Sequence, residues 1–135
     1  MDNLGQQIDT FLAAPAFAVV GASDRTHKYG HRVYACYLQN DRKAYPVNPR
    51  LKTILGNPVY SDLLSLPEKV ESISIITPPA VTEQIMDDAI AAGVKNAWMQ
   101  PGAESAAAIE KGLRAGINVI AGGPCLLVVL GYRGA

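Results

Sequence analysis

The sequence predicts a doubly wound α/β domain, a parallel sheet with helices on both faces. Two observations carry that prediction. In the second half, an apolar run, a Pro or Gly turn, an amphipathic stretch and a glycine stop recur about every 23 residues, as βαβ units do. The runs themselves, such as Phe17-Ala18-Val19-Val20, are continuously apolar, as strands buried on both faces are. The chain has 135 residues, 49% hydrophobic and 18% charged, which suits one domain with a real core. No linker, low-complexity tract or charge block interrupts it, so residues 1–135 read as a single domain.

Leu4 to Ala13 places Leu4, Ile8, Phe11 and Leu12 at helical spacing and stops before Pro15. Phe17–Val20 follows as a buried strand ending at Gly21. Lys28 to Asn40 has helical spacing in Val33, Tyr37 and their neighbours Tyr34 and Leu38. Ala44–Val47 resembles a second strand, although Pro46 removes a ladder donor. Val59-Tyr60 is a candidate short third strand, and Asp62 to Leu66 a short helix. Ser72–Ile76 is a β-branched strand halted by Thr77-Pro78-Pro79. A helix from Pro79 runs through Val81, Ile85, Ala89 and Ala92 to Gly93. Asn96–Met99 and Asn118–Ala121 are strands flanking an Ala-rich helix, Ala103–Ala115. Leu126 to Leu130 reads as an edge strand or an apolar tail covered by a partner. Right-handed crossovers then give a Rossmann-like sheet.

Composition excludes several classes. Twelve basic and twelve acidic side chains leave zero formal charge, unlike a protein that coats nucleic acid or an anionic membrane. Two cysteines, Cys36 and Cys125, make no disulfide framework. No apolar run spans a bilayer, and no Lys or Arg precedes Arg25, so a signal peptide is not expected and the expected location is cytoplasmic. The zero total hides an asymmetry. Between Gly21 and Lys52 seven basic side chains accompany two acidic ones, and the remainder carries the compensating acidic excess.

In an open parallel sheet, ligands bind outside the carboxyl ends of the strands. The turns there are Gly21-Ala22-Ser23-Asp24, Val47-Asn48-Pro49, Thr77-Pro78-Pro79, Gln100-Pro101-Gly102 and Gly122-Gly123-Pro124-Cys125. None holds a carboxylate pair or a base beside a nucleophile. Gly21-Ala22-Ser23, with Gly30 near the next helix start, suits a phosphate at a helix N-terminus, or a tight turn with no ligand. Arg25, Lys28 and Arg32 are close in sequence. After the second strand a plain NAD site needs an acid, yet the chain reads Val47-Asn48-Pro49-Arg50, with Lys52 beyond. Cations there suit an adenine nucleotide with an extra 2′- or 3′-phosphate, or form a solvated basic loop. Thr77 can cap the next helix and, with Pro78, wall a crevice facing Gly21. His27 and His31, four apart, lack further ligands for a metal and read as phosphate-contacting or solvent histidines. Cys36 and Trp98 read as core. Cys125 lies near the crevice, as packing or against a thiol-bearing ligand.

Phe17–Ser23, Tyr45-Pro46-Val47-Asn48-Pro49, Thr77-Pro78 and Trp98-Met99-Gln100-Pro101-Gly102, in this order and spacing, resemble the small stand-alone CoA-binding proteins. Their domain is similar to that of the succinyl-CoA synthetase alpha subunit and the nucleoside-diphosphate-forming acyl-CoA synthetases. The resemblance implies coenzyme A as the ligand. It implies Gly21, Ala22, Ser23, Arg25 and Lys28 at its phosphates, and Val47, Asn48 and Pro49 at the adenosine. Arg50 or Lys52 would sit near the 3′-phosphate. Thr77 and Pro78 would flank the diphosphate or the start of the pantetheine arm, and Gln100, Pro101 and Gly102 its path. Relatives carry an acidic-basic pair and then Cys-Pro after the last strand. This chain departs with Gly122-Gly123-Pro124-Cys125.

The synthetases work through a phosphorylated histidine and a nucleotide-grasp domain, neither of which is in this sequence. The resemblance therefore implies a non-catalytic carrier, sensor or partner module binding CoA or an acyl-CoA, with no nucleic acid and no membrane. The alternatives are an NADP-dependent oxidoreductase, or a ligand-free module that self-associates, as a homodimer, through the apolar Leu126–Leu130 tail.

Overall fold

A computed structural model describes residues 3–134. Helix α1 (Leu4–Leu12) starts in a capping box: Asn3 Oδ1 accepts from Gln6 N–H and Gln6 Oε1 from Asn3 N–H. Strand β1 (Phe17–Val20) leads to α2 (Tyr29–Gln39) and β2 (Ala44–Val47). A small antiparallel hairpin, β3 (Thr53–Ile54) and β4 (Asn57–Pro58), comes next. Strand β5 (Ser72–Ile75), α3 (Pro79–Ala92), β6 (Asn96–Met99), α4 (Ala106–Arg114) and β7 (Asn118–Ile120) complete the alternation. The main sheet is wholly parallel, in the order β2-β1-β5-β6-β7.

Period-two alternation assigns the two faces. Ala18 and Val20 of β1, Ile73 and Ile75 of β5, and Met99 pack with Met86 and Ala89 of α3 and Ala108 of α4. Phe17, Val19 and Trp98 point the other way, to Phe11 of α1 and Val33 and Tyr37 of α2. Phe11 meets Trp98 edge-on and Phe17 stacks on Tyr37, their ring centroids 5.3 and 4.8 Å apart. Helices therefore cover both faces, as the continuous apolar runs require.

The serines of β5 face the α1/α2 layer, and each finds a partner. Ser74 Oγ lies 2.6 Å from the Tyr37 hydroxyl, and Ser72 Oγ donates to the Phe11 carbonyl at 2.8 Å. Asn96 Nδ2 donates to Ser72 Oγ and Asn118 Nδ2 to Asn96 Oδ1, so the first residues of β5, β6 and β7 form one polar row. Pro46 sits on an edge strand with its carbonyl turned outward to Tyr60 N–H, so its missing donor costs the sheet nothing.

Three expectations are corrected. Val59-Tyr60 is not a strand: Tyr60 makes one parallel bridge to Val47, and pairing falls instead to β3–β4, whose turn residues Leu55 and Gly56 both have positive φ. The Ala-rich helix starts at Ala106 rather than Ala103, because Ser105 accepts from Ala108 N–H as its cap. Leu126–Leu130 is not an edge strand, and Val128 within it is exposed. Leu127–Gly131 forms a wide helical turn packed on α2, with Tyr132 N–H donating to the Leu127 carbonyl and Leu126 fully buried.

Candidate functional site

Strands β1 and β5 are neighbours, yet the helices that follow them lie on opposite faces. Their loops diverge and leave a crevice at the carboxyl edge, the switch point of a doubly wound sheet. A cavity of about 450 Å³ occupies it. Gly21, Val47 and Asn48, then Pro49, Arg50, Thr77 and Pro78, line it, so seven of the sixteen residues singled out from sequence come together. A more open cleft of about 740 Å³ runs along α2 past His27, Arg32 and Tyr132, and shares none of the crevice's lining residues.

Two glycines make the turn after β1 possible. Gly21 has φ +96°, and a Cβ on it would overlap the Ile76 carbonyl and press on Thr77 Cγ2. A Cβ on Gly30 would overlap the Gly21 carbonyl, so α2 closes directly onto the turn. Gly21 and Ala22 both donate their N–H to the Val47 carbonyl, and Ala22 is fully buried. Those two amides are therefore occupied. The donors this turn leaves over are the half-buried Ser23 hydroxyl and the N–H groups of Tyr29 and Gly30 at the start of α2, whose N-cap Lys28 makes no side-chain cap and whose Lys28 and His31 amides are already bonded. Arg25 and Lys28 are exposed beside it and lie outside the cavity wall.

Neighbouring side chains hold the turn in place. His31 is buried, with Nδ1 3.0 Å from the Ser23 carbonyl, so it is a positioning residue rather than the phosphate or solvent histidine expected. His27 is exposed, and among the described residues no three His, Cys, Asp or Glu side chains cluster to hold a metal. Asn48 Nδ2 donates to the Ala22 carbonyl at 2.8 Å while its Oδ1 accepts from Arg50 N–H, which ties the second turn to the first. Lys52 is exposed on the way to β3 and does not reach the cavity wall. Thr77 does not cap α3, whose N-cap is Pro78. Its hydroxyl pairs with that of Thr82 at 2.7 Å.

Sequence reading missed part of the wall. Val81, Ile85 and Asp88 project from one face of α3, and their i, i+4, i+7 spacing was the available signal. Ser61, Asp62 and Leu63 come from a loop folded back over β2, which no local pattern announces.

Beyond β6, Pro101 and Gly102 are exposed, with Gly102 N–H donating to Glu104 Oε1. Gln100 is fully buried, its Oε1 accepting from the Tyr29 hydroxyl and Leu126 N–H. Cys125 is a half-buried free thiol. Burial pushes it up, but hydrogen bonds from the Tyr29 hydroxyl and the N–H groups of Val128, Leu127 and Cys125 itself outweigh that and leave it below the ordinary thiol value. Cys36, fully buried in α2, is pushed up by burial.

The family model described as CoA binding domain matches residues 15–131. The chain belongs to this CoA-binding domain family. It is 28% identical over 119 residues to the ADP-forming acetate–CoA ligase I of Archaeoglobus fulgidus, covering 81% of this chain and 17% of the ligase. The CoA-binding domain thus spans under a fifth of that relative. A conserved hypothetical protein from Pyrococcus furiosus superposes with a TM-score of 0.80 at 35% identity, covering 84% of this chain and 97% of that one. Acetyl-coenzyme A synthetase 1 of Ca. Korarchaeum cryptofilum superposes at 0.71 with 28% identity, over 79% of this CoA-binding domain and 25% of the synthetase. No helix among the described residues is long and apolar enough to cross a membrane.

Proposed function

We propose that this chain binds coenzyme A or an acyl-CoA across the carboxyl ends of β2, β1 and β5, as a non-catalytic carrier, sensor or partner module. The observation that carries the reading is the switch-point crevice, an apolar slot adjoining an uncapped helix N-terminus flanked by Arg25 and Lys28. Val81 and Ile85 offer flat apolar contact for a purine. Asp62 and Asp88 also line the slot, and their carboxylates repel phosphate but accept from an exocyclic amino group. The base therefore enters the slot and the phosphates lie outside it, toward α2, with Arg50 at the ribose phosphate. Of the two acids on the slot wall, Asp62 is engaged as a cap, its Oδ1 accepting from the Ser65 N–H and hydroxyl.

Thermal unfolding with ligands tests this. A ligand at ~100 times its Kd that binds only the folded state adds about 2.7 kcal/mol. CoA is expected to raise Tm more than dephospho-CoA, with NAD inert. Equal shifts for CoA and dephospho-CoA remove the role given to Arg50, and a larger shift with NADPH replaces the reading with that of a reductase.

A further inference from the structure

The cleft along α2 is larger than the crevice, and the CoA reading leaves its cations unused. None of the residues lining it is an acid, and the ion pairs among the described residues do not involve its two arginines, Arg32 and Arg133. Backbone carbonyls hold both guanidiniums. Arg32 Nη2 donates to the His27 carbonyl at 2.9 Å, just ahead of α2, while its Nε is buried without an acceptor among the described residues. Arg133 Nη2 donates to the Gln39 carbonyl at 2.9 Å, and its backbone exchanges two further bonds with the Gln39 side chain, so it is clasped to the other end of the helix. At about 1.5 Å per residue, those two carbonyls lie roughly 16 Å apart along α2. Ala35 and Leu38 lie between them on the helix, and Leu55 and Tyr132 complete an apolar lining. Leu55 serves the fold least. It is 55% exposed at the tip of the β3–β4 hairpin with φ +51°, a conformation that Asn, Asp or Gly takes at less cost. Folding gains little from a leucine there, whereas an occupant of the cleft gains an apolar contact.

We propose that this cleft is a docking site for an extended acidic segment of a partner protein. At about 3.3 Å per residue, five residues span roughly 16 Å, and alternate side chains share one face. Acids at the first and fifth positions then meet Arg32 and Arg133, and an apolar residue at the third lies on Leu38, Leu55 and Tyr132. A turn of the half-buried Arg32 guanidinium brings its unmet donor to the incoming carboxylate. A single phosphate or a short dicarboxylate reaches one arginine only and leaves the apolar middle of the cleft to water. The site shares no lining residue with the crevice, so the proposal does not rest on CoA binding.

The probe is fluorescein-labelled Glu-Ser-Leu-Ser-Glu, titrated with the folded full-length chain without CoA and read by fluorescence anisotropy. Low ionic strength is used, where surface charges are least screened. The amide peptide Gln-Ser-Leu-Ser-Gln is expected to bind at least about 10-fold more weakly, because it forfeits both ion pairs. Arg32→Gln and Arg133→Gln should each weaken the acidic peptide about 5-fold, the upper end for a partly exposed ion pair, and Arg114→Gln on α4 should not weaken it. Leu55→Asp puts a like charge in the cleft at a φ that suits Asp. It should fold with an unchanged or higher Tm and lose at least about 10-fold in affinity, which keeps the test open even if an arginine variant fails to fold. Equal affinity for the two peptides, or unchanged affinity in Leu55→Asp, overturns the proposal. Displacement of the peptide by equimolar inorganic phosphate also overturns it, by making the cleft a small-anion site. So does sedimentation showing self-association that Leu55→Asp abolishes, since the occupant is then a second copy of this chain.

Discussion

Replacing Gly30 with alanine tests how closely α2 seats on the turn after β1. The new Cβ would lie closer than 3.0 Å to the Gly21 carbonyl oxygen, and at 3.1 Å from its carbon and 3.3 Å from Ala22 Cα. All three atoms are backbone, so the strain is relieved only by lifting the helix. Overpacking of this kind costs about 3 kcal/mol, the upper end of its usual range. Alanine's better helix propensity returns at most about 1 kcal/mol, leaving a net loss near 2. For a domain of this size that corresponds to roughly 6–10 °C in Tm. Gly112→Ala is the matched control. Its Cβ would meet Val119 Cγ2 at 2.7 Å and the Met86 thioether at 3.1 Å, side-chain rather than backbone atoms, of which the thioether adapts readily and the β-branched valine less so. There the overpacking and propensity terms roughly cancel, and Tm should move by less than about 3 °C. Differential scanning fluorimetry with and without CoA reads both effects. Gly30→Ala should also lose most of its CoA-induced shift, because Gly21 moves with the helix, whereas Gly112→Ala should keep it. A Gly30→Ala chain as stable as the wild type would show that the helix is not seated as described.

Three further outcomes are expected. Ser23→Asp should abolish CoA binding and leave the fold intact, since a carboxylate can accept Arg25 N–H as the hydroxyl does but repels phosphate; isothermal titration showing retained affinity would displace the phosphate turn. Tyr37→Phe and Ser74→Ala should each lose about 1–3 kcal/mol by orphaning the buried partner, with the double variant no worse than either single one; additive losses in urea melts would refute that pairing. Iodoacetamide alkylation of Cys125 should have its pH midpoint below the ordinary thiol value, because the donors around it favour the thiolate. Tyr29→Phe removes one donor and should move the midpoint upward, and a midpoint already at or above that of a free thiol would refute the assignment.

Most of the sheet was legible because burial on both faces writes itself into each strand as a continuous apolar run. Phe17–Val20 and Asn96–Met99 match their predicted bounds for that reason. The glycine stop at Gly93, with φ +78°, and Pro79 as the first residue of α3 were equally readable, because backbone sterics permit few residues there. The hairpin was not. Its turn places Leu55 at φ +51°, a conformation that leucine rarely takes, so the residue itself gives no turn signal. Leu126–Leu130 misled because an apolar run alone does not distinguish a strand from a helical turn under cover of α2. At the crevice, residues directly after strands were found from sequence, and those folded in from elsewhere, such as Asp62, were not.

The two ends of the sheet bear on how this chain meets others. On one side Tyr60 closes β2 with a bridge at Val47, and Pro46 offers no amide there. On the other, Gln7 Nε2 donates to the Val119 carbonyl and to Asn118 Oδ1, while Asn118 Nδ2 returns a bond to the Gln7 carbonyl, so α1 acts as a clasp on β7. A β-strand from another molecule would have to displace one of these before it could add to the sheet. Growth by strand addition is thereby disfavoured at both margins, and any other molecule has to dock on helices and loops, where the crevice at the carboxyl edge also opens.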